Sequence, residues 1–422
     1  MARRWYSLYD RMLLAANLTN AFKKVKSAKG SAGIDGQSIK DFAGELETNI
    51  AMLLRELRAK SYKPLPVKRV EIPKPDGGIR KLGIPAVRDR VVQQALLAIL
   101  QPIFDPGFHP SSYGYRPGRC CHHAITKASM FIRTYERRWV VDMDLSKCFD
   151  TLDHAIIIQS FRERVSDGSI LNLLRKFLES GVMTGQGWEA SIVGSPQGGV
   201  ISPLIANVYL DAFDQFMKSR GHRIVRYADD ILILTQSGKA AANALEQATG
   251  YLERELKLTV NRKKTHIVQS GQGVKFLGVV IHTSYTRIQK KKVQAFKEKV
   301  RAITRRNSPV NLEKVIQDLN PVTRGFANYF RIANCKGELE KLSMWIRRRL
   351  RAKQLKLWKK PKRLHRRLRQ LGYKGEFKSI KMNSWHNSVS PLVSMALPNK
   401  YLTREAGYFD ISKVTTGISV SL

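Results

Sequence analysis

Residues 223–235, RIVRYADDILILT, set two consecutive aspartates, Asp229 and Asp230, in the turn between two runs of β-branched and aromatic residues. Runs of that composition read as paired strands, so the chain must build a hairpin whose tip carries two like charges side by side. Neighbouring carboxylates repel each other, and a purely structural turn would be better served by Asn-Gly. Taken alone, the pair is also compatible with a solvated turn. A second apolar run ending in acids, WVVDMDL at 139–145, reads as a buried strand that delivers Asp144. Where strand and hairpin meet, three carboxylates share one point.

The flanking text gives an α+β pattern. To about Ser61 the apolar positions recur at helical spacing (Leu13, Leu14, Leu18, Phe22, then Leu46, Ile50, Leu53, Leu54, Leu57), with the Gly-rich turn KGSAGIDG between them. From Tyr62 to Pro85 two short β-like runs hinge at PDGG, and RDRVVQQALLAILQPIF returns to a helix. Ile156 to Leu178 reads as helical. Beyond KFLGVVIH, from about Gln289 to Leu371, the chain is helical and basic, and Ile346 to Gln370 holds thirteen Lys or Arg and no acid. Cys120, Cys121, His122 and His123 look metal-like, but adjacent residues point to different sides, so a partly buried turn into a helix is expected. The four cysteines make no CxxC pair, which argues against structural zinc.

Charge restricts the partner. Lys and Arg number 74 against 34 Asp and Glu, a formal net charge of +40, and a compact chain of that charge repels itself unless a polyanion accompanies it. Nucleic acid is the default reading. No run of about twenty apolar residues and no signal-like start is present, so a cytoplasmic protein with no membrane partner is expected. Phosphoryl transfer onto a primer 3′-hydroxyl needs two divalent ions about 4 Å apart, held by carboxylates that meet at one point. Magnesium prefers such hard oxygen ligands, and Asp144, Asp229 and Asp230 would supply them.

Tyr227-Ala228-Asp229-Asp230, VDMDLSKCFDTLDH, SPQGGVISPLIANVYLD and IPKPDGGIRKLGIP together resemble group II intron reverse transcriptases, in that family's order and over nearly the whole chain. The resemblance implies a right-hand polymerase fold, with fingers and palm built on antiparallel sheet, followed by a basic α-helical thumb. It divides the chain into an N-terminal helical extension (1–61), fingers and palm (62–285), a thumb or maturase X domain (286–372) and a C-terminal DNA-binding segment (373–422). It further implies that Asp144 and Asp229 hold two Mg2+ ions, replaceable by Mn2+, with Asp230 close by and the backbone at Leu145 assisting. Lys264 in VNRKKT matches the lysine that protonates the leaving pyrophosphate. Lys74 and Arg80 match cations on the triphosphate; read as isolated residues they would be solvated. Gln197 matches a contact to the incoming nucleotide, and Phe149 the aromatic gate against a ribose 2′-hydroxyl, where the residues alone favour core packing. Cys148 departs from the aromatic usual there. Phe276, Leu277 and Gly278 match the primer grip, and Arg347, Arg348, Arg349 and Arg351 would face nucleic-acid phosphates.

Implied partners are an RNA template, a DNA or RNA primer, deoxynucleotides and an intron RNA. Whether a homodimer forms is open. The resemblance also leads to the expectation of no DNA-cleaving endonuclease domain. Two other readings stand beside an RNA-directed DNA polymerase with maturase activity: an intron-free relative serving host DNA repair or defence, and a non-catalytic RNA-binding splicing factor. Ala228 leans toward the mobile-element type, since some repair-type relatives carry Ile there.

Overall fold

The computed structural model describes residues 4–73, 77–184, 187–190, 193–195 and 198–418, and the chain divides into two compact units between Gln269 and Ser270. The first unit opens with helices α1 (Ala15–Ala28), α2 (Ile39–Gly44) and α3 (Leu46–Arg58). Of the apolar positions read from the sequence, Leu18, Phe22, Ile50, Leu53 and Leu57 are buried, Leu13, Leu46 and Leu54 partly so, and Leu14, at the N-cap of α1, is exposed. Strands β1 (Val67–Pro73) and β2 (Ile79–Ile84) form the expected hairpin, paired from Lys68↔Ile84 to Pro73↔Ile79. Helix α4 (Val87–Phe104) follows and packs along α1, and α5 (Cys121–Arg133) begins at the Cys-His run.

Strand β3 (Trp139–Met143) is followed by two helices, α6 (His154–Arg162) and α7 (Gly168–Leu178), where a single helical stretch was expected. Asp167 explains the break. Its Oδ1 caps α7, accepting from the amides of Ser169 (2.9 Å) and Ile170 (3.2 Å), while Oδ2 accepts from the distant amides of Leu8 (2.7 Å) and Tyr9 (2.8 Å). Short strands β4 (Val182–Thr184) and β5 (Gly187–Glu189), helix α8 (Ser202–Ser219), the hairpin β6 (Arg223–Tyr227) and β7 (Asp230–Thr235), α9 (Gly238–Arg254) and β8 (His266–Gln269) complete the unit.

Two sheets result. One runs in the order β6-β7-β3-β8, antiparallel throughout. Every residue of β7 after Asp230 is buried, because α5, α8 and α9 pack on this sheet. The other has the order β2-β1-β4-β5, with β1 and β4 parallel at Val67↔Val182 and the remaining pairs antiparallel. This is the α+β architecture expected, with one parallel pair in the fingers-like sheet.

The second unit begins with a three-stranded meander, β9 (Val274–Phe276), β10 (Val279–Ile281) and β11 (Thr286–Ile288). Helices α10 (Lys290–Ile303), α11 (Leu312–Phe330), α12 (Lys336–Trp358), α13 (Pro361–Gln370) and α14 (Pro391–Ala396) follow. Phe296 of α10 stacks on Phe326 of α11 with centroids 4.0 Å apart, and Leu355, Leu364, Leu368, Val393 and Leu397 bury the joint between α12, α13 and α14. No helix among the described residues is long and apolar enough to cross a membrane.

Candidate active site

Pairing of Tyr227 with Asp230 leaves Ala228 and Asp229 as a two-residue turn, and Ala228 sits at φ +58°. The left-handed region costs a residue with a Cβ roughly 1–2 kcal/mol, and such a conformation persists only where surrounding contacts over-determine it. The register Met143↔Ile231 carries Asp144, the residue just past β3, to the position opposite Asp230. The three acids read from the sequence therefore lie together at one end of the central strands.

Their charges interact. Burial and then the charge of Asp144 raise the Asp229 carboxyl above the ordinary range, with Arg80 acting in the other direction. Arg80 on the fingers-like hairpin is thus within electrostatic reach of the turn. Asp230 has an edge open to solvent, yet burial of its carboxyl, then the charges of Asp229, Asp142 and Asp144, push it to about 6. Asp144 is the best supported of the three. Its Oδ2 accepts from Asn261 Nδ2 at 2.9 Å and lies 3.8 Å from Lys264 Nζ, and its amide donates to Thr265 Oγ1 at 3.2 Å. Lys264, 60% exposed, therefore lies beside the Asp144 carboxylate.

Among the described residues no three His, Cys, Asp or Glu side chains converge tightly enough to enclose an ion by themselves. The donor set still fits Mg2+, which binds through one or two carboxylates and takes its other ligands from water and substrate phosphates. Asp144 and Asp229 supply hard oxygens whose mutual repulsion a divalent cation relieves.

Phe149 lies in a single 3₁₀ turn, Cys148–Asp150, and is buried. The thiol of Cys148 is pushed up to about 12 by burial and then by the charge of Asp229, which sets this turn beside the β6–β7 hairpin. Leu145 is buried and bridges to Val260, with the Asp144 carbonyl accepting from the Asn261 amide at 2.9 Å. The SPQGG loop is fastened to the same place: Ser195 N donates to the Phe149 carbonyl at 2.8 Å. Gly198 has φ +117°, and a Cβ there would stand 2.4 Å from the Gly83 carbonyl oxygen of β2, so only glycine permits that approach. Lys74 and Gln197 lie outside the described residues.

Asn261 and Thr265, which hold Asp144, were not singled out from the sequence, although both belong to VNRKKT. Asp142 and His266 are a second omission: they face each other across β3 and β8 with His266 Nε2 3.9 Å from the carboxylate. The alternation of WVVDMDL signals it, since Asp142 and Asp144 share one face of the strand.

Residues 72–281 match the reverse transcriptase (RNA-dependent DNA polymerase) family, and residues 293–372 match the maturase-specific domain of group II introns. Protein YkfC of Escherichia coli K12 is 36% identical over 300 residues, which span 62% of this chain and 79% of that protein. The chain belongs to the group II intron reverse transcriptase family. The group II intron-encoded protein LtrA of Lactococcus lactis subsp. cremoris is 28% identical over 61% of this chain, and the chain spans about half, 53%, of its length. A putative COX1/OXI3 intron 2 protein of Saccharomyces cerevisiae is 29% identical over 64% of this chain and 37% of its own. A solved telomerase from Candida tropicalis is a distant likeness, with a TM-score of 0.41 and 15% identity over 58% of this chain and 60% of that one.

The second unit of this group II intron reverse transcriptase carries the other expected residues. Phe276 pairs with Val279, so Leu277 (φ +44°) and Gly278 (φ +83°) form a two-residue turn with both φ positive, and Tyr329 Oη donates to the Leu277 carbonyl at 2.8 Å. The arginines of α12 are not a free row. Arg347 pairs with Asp410 at 2.8 Å; Arg351 donates to the Leu397 carbonyl (2.9 Å) and Asn399 (2.8 Å); Arg349 donates to Thr304 Oγ1 (2.5 Å). Arg348 and Arg349 stack over Trp385, at 5.0 and 5.3 Å. These guanidiniums are committed within the unit. Cations that remain exposed include Lys356, Lys359, Lys360, Lys362, Arg363 and Arg366.

Proposed function

We propose that this chain copies RNA into DNA by two-metal phosphoryl transfer and also acts as a maturase on an intron RNA. One observation carries the polymerase reading: Asp144, far in sequence from Asp229 and Asp230, stands with them at one end of the palm-like sheet, with Lys264 3.8 Å from Asp144 and Arg80 within electrostatic reach of Asp229. Bound Mg2+ would lower the pKa of the primer hydroxyl and neutralise the triphosphate. Asp144 and Asp229 would hold it. Asn261 fixes the Asp144 carboxylate, Lys264 stands in position to give a proton to the leaving pyrophosphate, and Arg80 draws the triphosphate. Leu145 contributes its backbone. Phe149 closes the sugar side of the nucleotide, and Lys74 and Gln197 are assigned to the triphosphate and the nucleotide from the family motifs.

Template, primer and intron RNA are bound through phosphates by the exposed cations from Lys356 to Arg366, with the Phe276-Leu277-Gly278 turn as a further contact. The maturase part rests on the match of residues 293–372. Host repair or defence, without an intron, is a second use of the same chemistry.

Chelation tests the metal requirement. Primer extension on an RNA template is expected to stop in EDTA and return with Mg2+ or Mn2+; synthesis that persists in the chelator contradicts the two-metal reading. Phe149→Val tests the gate. Ribonucleotide incorporation relative to deoxynucleotide should rise at least about tenfold, measured by single-nucleotide extension, and unchanged sugar discrimination places the gate elsewhere.

A further inference from the structure

The strained turn that presents Asp229 is held from beneath by a polar group with no solvent access. Arg226, Asp214 and Asn207 are 0%, 0% and 2% exposed. The Arg226 guanidinium donates from Nε to Asp214 Oδ1 at 2.9 Å and from Nη2 to Asp214 Oδ2 at 2.6 Å, a bidentate pair. Its remaining nitrogen, Nη1, donates to Asn207 Oδ1 at 3.0 Å and to the carbonyl of Ala228 at 3.1 Å. Asn207 in turn donates from Nδ2 to the Gly114 carbonyl at 2.8 Å. Gly114 presses on the turn from the other side, where an added Cβ would stand 2.3 Å from Ala228 N. The main chain of the 111–113 segment closes the frame: Arg226 N donates to the Ser111 carbonyl and Tyr113 N to the Arg226 carbonyl, each at 2.9 Å.

We propose that Arg226 is a positioning residue for DNA synthesis: anchored on Asp214 and Asn207 of α8, its guanidinium holds the Ala228 carbonyl and so fixes the turn on which Asp229 stands. This rests on the polymerase reading above. A buried ion pair contributes little net stability, and apolar replacements of similar volume often equal or exceed it. What an apolar side chain cannot do is grip a carbonyl in the left-handed turn while bracing against a helix. Three directions of one planar fork are used here, two on Asp214 and one shared by Asn207 and Ala228. Lysine, with a single compact ammonium, keeps a charge for Asp214 and loses the span to Ala228. The network thus meets the requirement that a strained functional turn be over-determined by its surroundings.

The test uses the full chain with RNA template, a primer lacking its 3′-hydroxyl and a deoxynucleotide, and reads Mn2+ affinity by electron paramagnetic resonance. Single-nucleotide incorporation is measured in parallel on a reactive primer. For Arg226→Lys we expect Mn2+ affinity and kcat to fall about tenfold or more, the scale of lost outer support at a metal site. The deoxynucleotide KM and the template Kd should stay within about twofold, because neither contact passes through the Ala228 carbonyl. Should Arg226→Lys fail to fold, Asn207→Leu leaves the Arg226–Asp214 pair whole and is expected to shift Mn2+ affinity the same way. Asp229→Asn, run alongside, marks the metal site. Mn2+ affinity that ignores Asp229 overturns the two-metal reading; affinity that depends on Asp229 but is unchanged in Arg226→Lys or Asn207→Leu overturns the positioning role alone.

Discussion

Asp229→Asn is expected to lose DNA synthesis by about a thousandfold or more, since it removes a charged ligand at the point where charge develops. The same substitution should leave the fold slightly more stable. Burial and the Asp144 charge raise the Asp229 carboxyl, so the native state near neutral pH holds that carboxylate at a cost which an amide does not incur. A gain of about 1 kcal/mol or less is expected by thermal or denaturant unfolding, a trade of stability for activity. The two readouts move in opposite directions. A variant that loses activity because it unfolds would show Asp229 as a packing residue instead.

Arg347→Ala should act chiefly on stability. Arg347 and Asp410 have side chains only 12% and 7% exposed, and Ser343 and Ser412 complete the site with donations to Asp410 Oδ1 at 2.5 Å (Ser343 Oγ) and 2.7 Å (Ser412 Oγ). Removing the guanidinium leaves a buried carboxylate with two hydroxyls and the Ser412 amide but no cation, a loss of about 2–3 kcal/mol read from denaturant midpoints. Burial raises the Asp410 carboxyl, but the Ser343 and Ser412 hydrogen bonds and the Arg347 charge outweigh it and hold it below the ordinary value. Its stabilising contribution is therefore whole above the unfolded pKa of about 3.9 and is lost as pH falls through the folded value. The effect of Arg347→Ala should shrink in acid. Template binding near neutral pH should change far less than in a triple change of Lys362, Arg363 and Arg366, which are exposed. Equal losses of template affinity from both would return Arg347 to the nucleic-acid surface.

That contrast marks where sequence reading stops. A charge run reports composition, and the sequence does not separate Arg347, Arg348, Arg349 and Arg351 from the other cations of 346–370. The fold divides them: Lys353 is fully buried, donating to the Arg305 carbonyl at 3.3 Å, and Arg347, Arg349 and Arg351 tie α12 to segments up to 63 residues away. Nothing local distinguishes them from Arg363. Strands were legible where periodicity speaks, as in WVVDMDL and RIVRYADDILILT, and the neighbouring acids followed directly. The strand order β6-β7-β3-β8 was not, because pairing partners are chosen by packing between distant segments. Arg226 was invisible for the same reason: flanked by apolar residues in RIVRY, it looks like a solvent-facing strand cation, and its partner lies on α8. The break before α7 was legible in principle, since Ser166-Asp167-Gly168 is a capping signal inside an apolar period.

The central claim is that Asp144, Asp229 and Asp230 carry RNA-templated DNA synthesis. The most direct measurement is single-turnover primer extension with Mg2+ on an RNA template, comparing the wild-type chain with Asp229→Asn and measuring template affinity on the same preparations. Efficient extension by the wild type, its loss in the variant and equal template binding by both are predicted. Extension that survives in Asp229→Asn, or a wild-type chain that binds RNA and makes no DNA, would contradict the account.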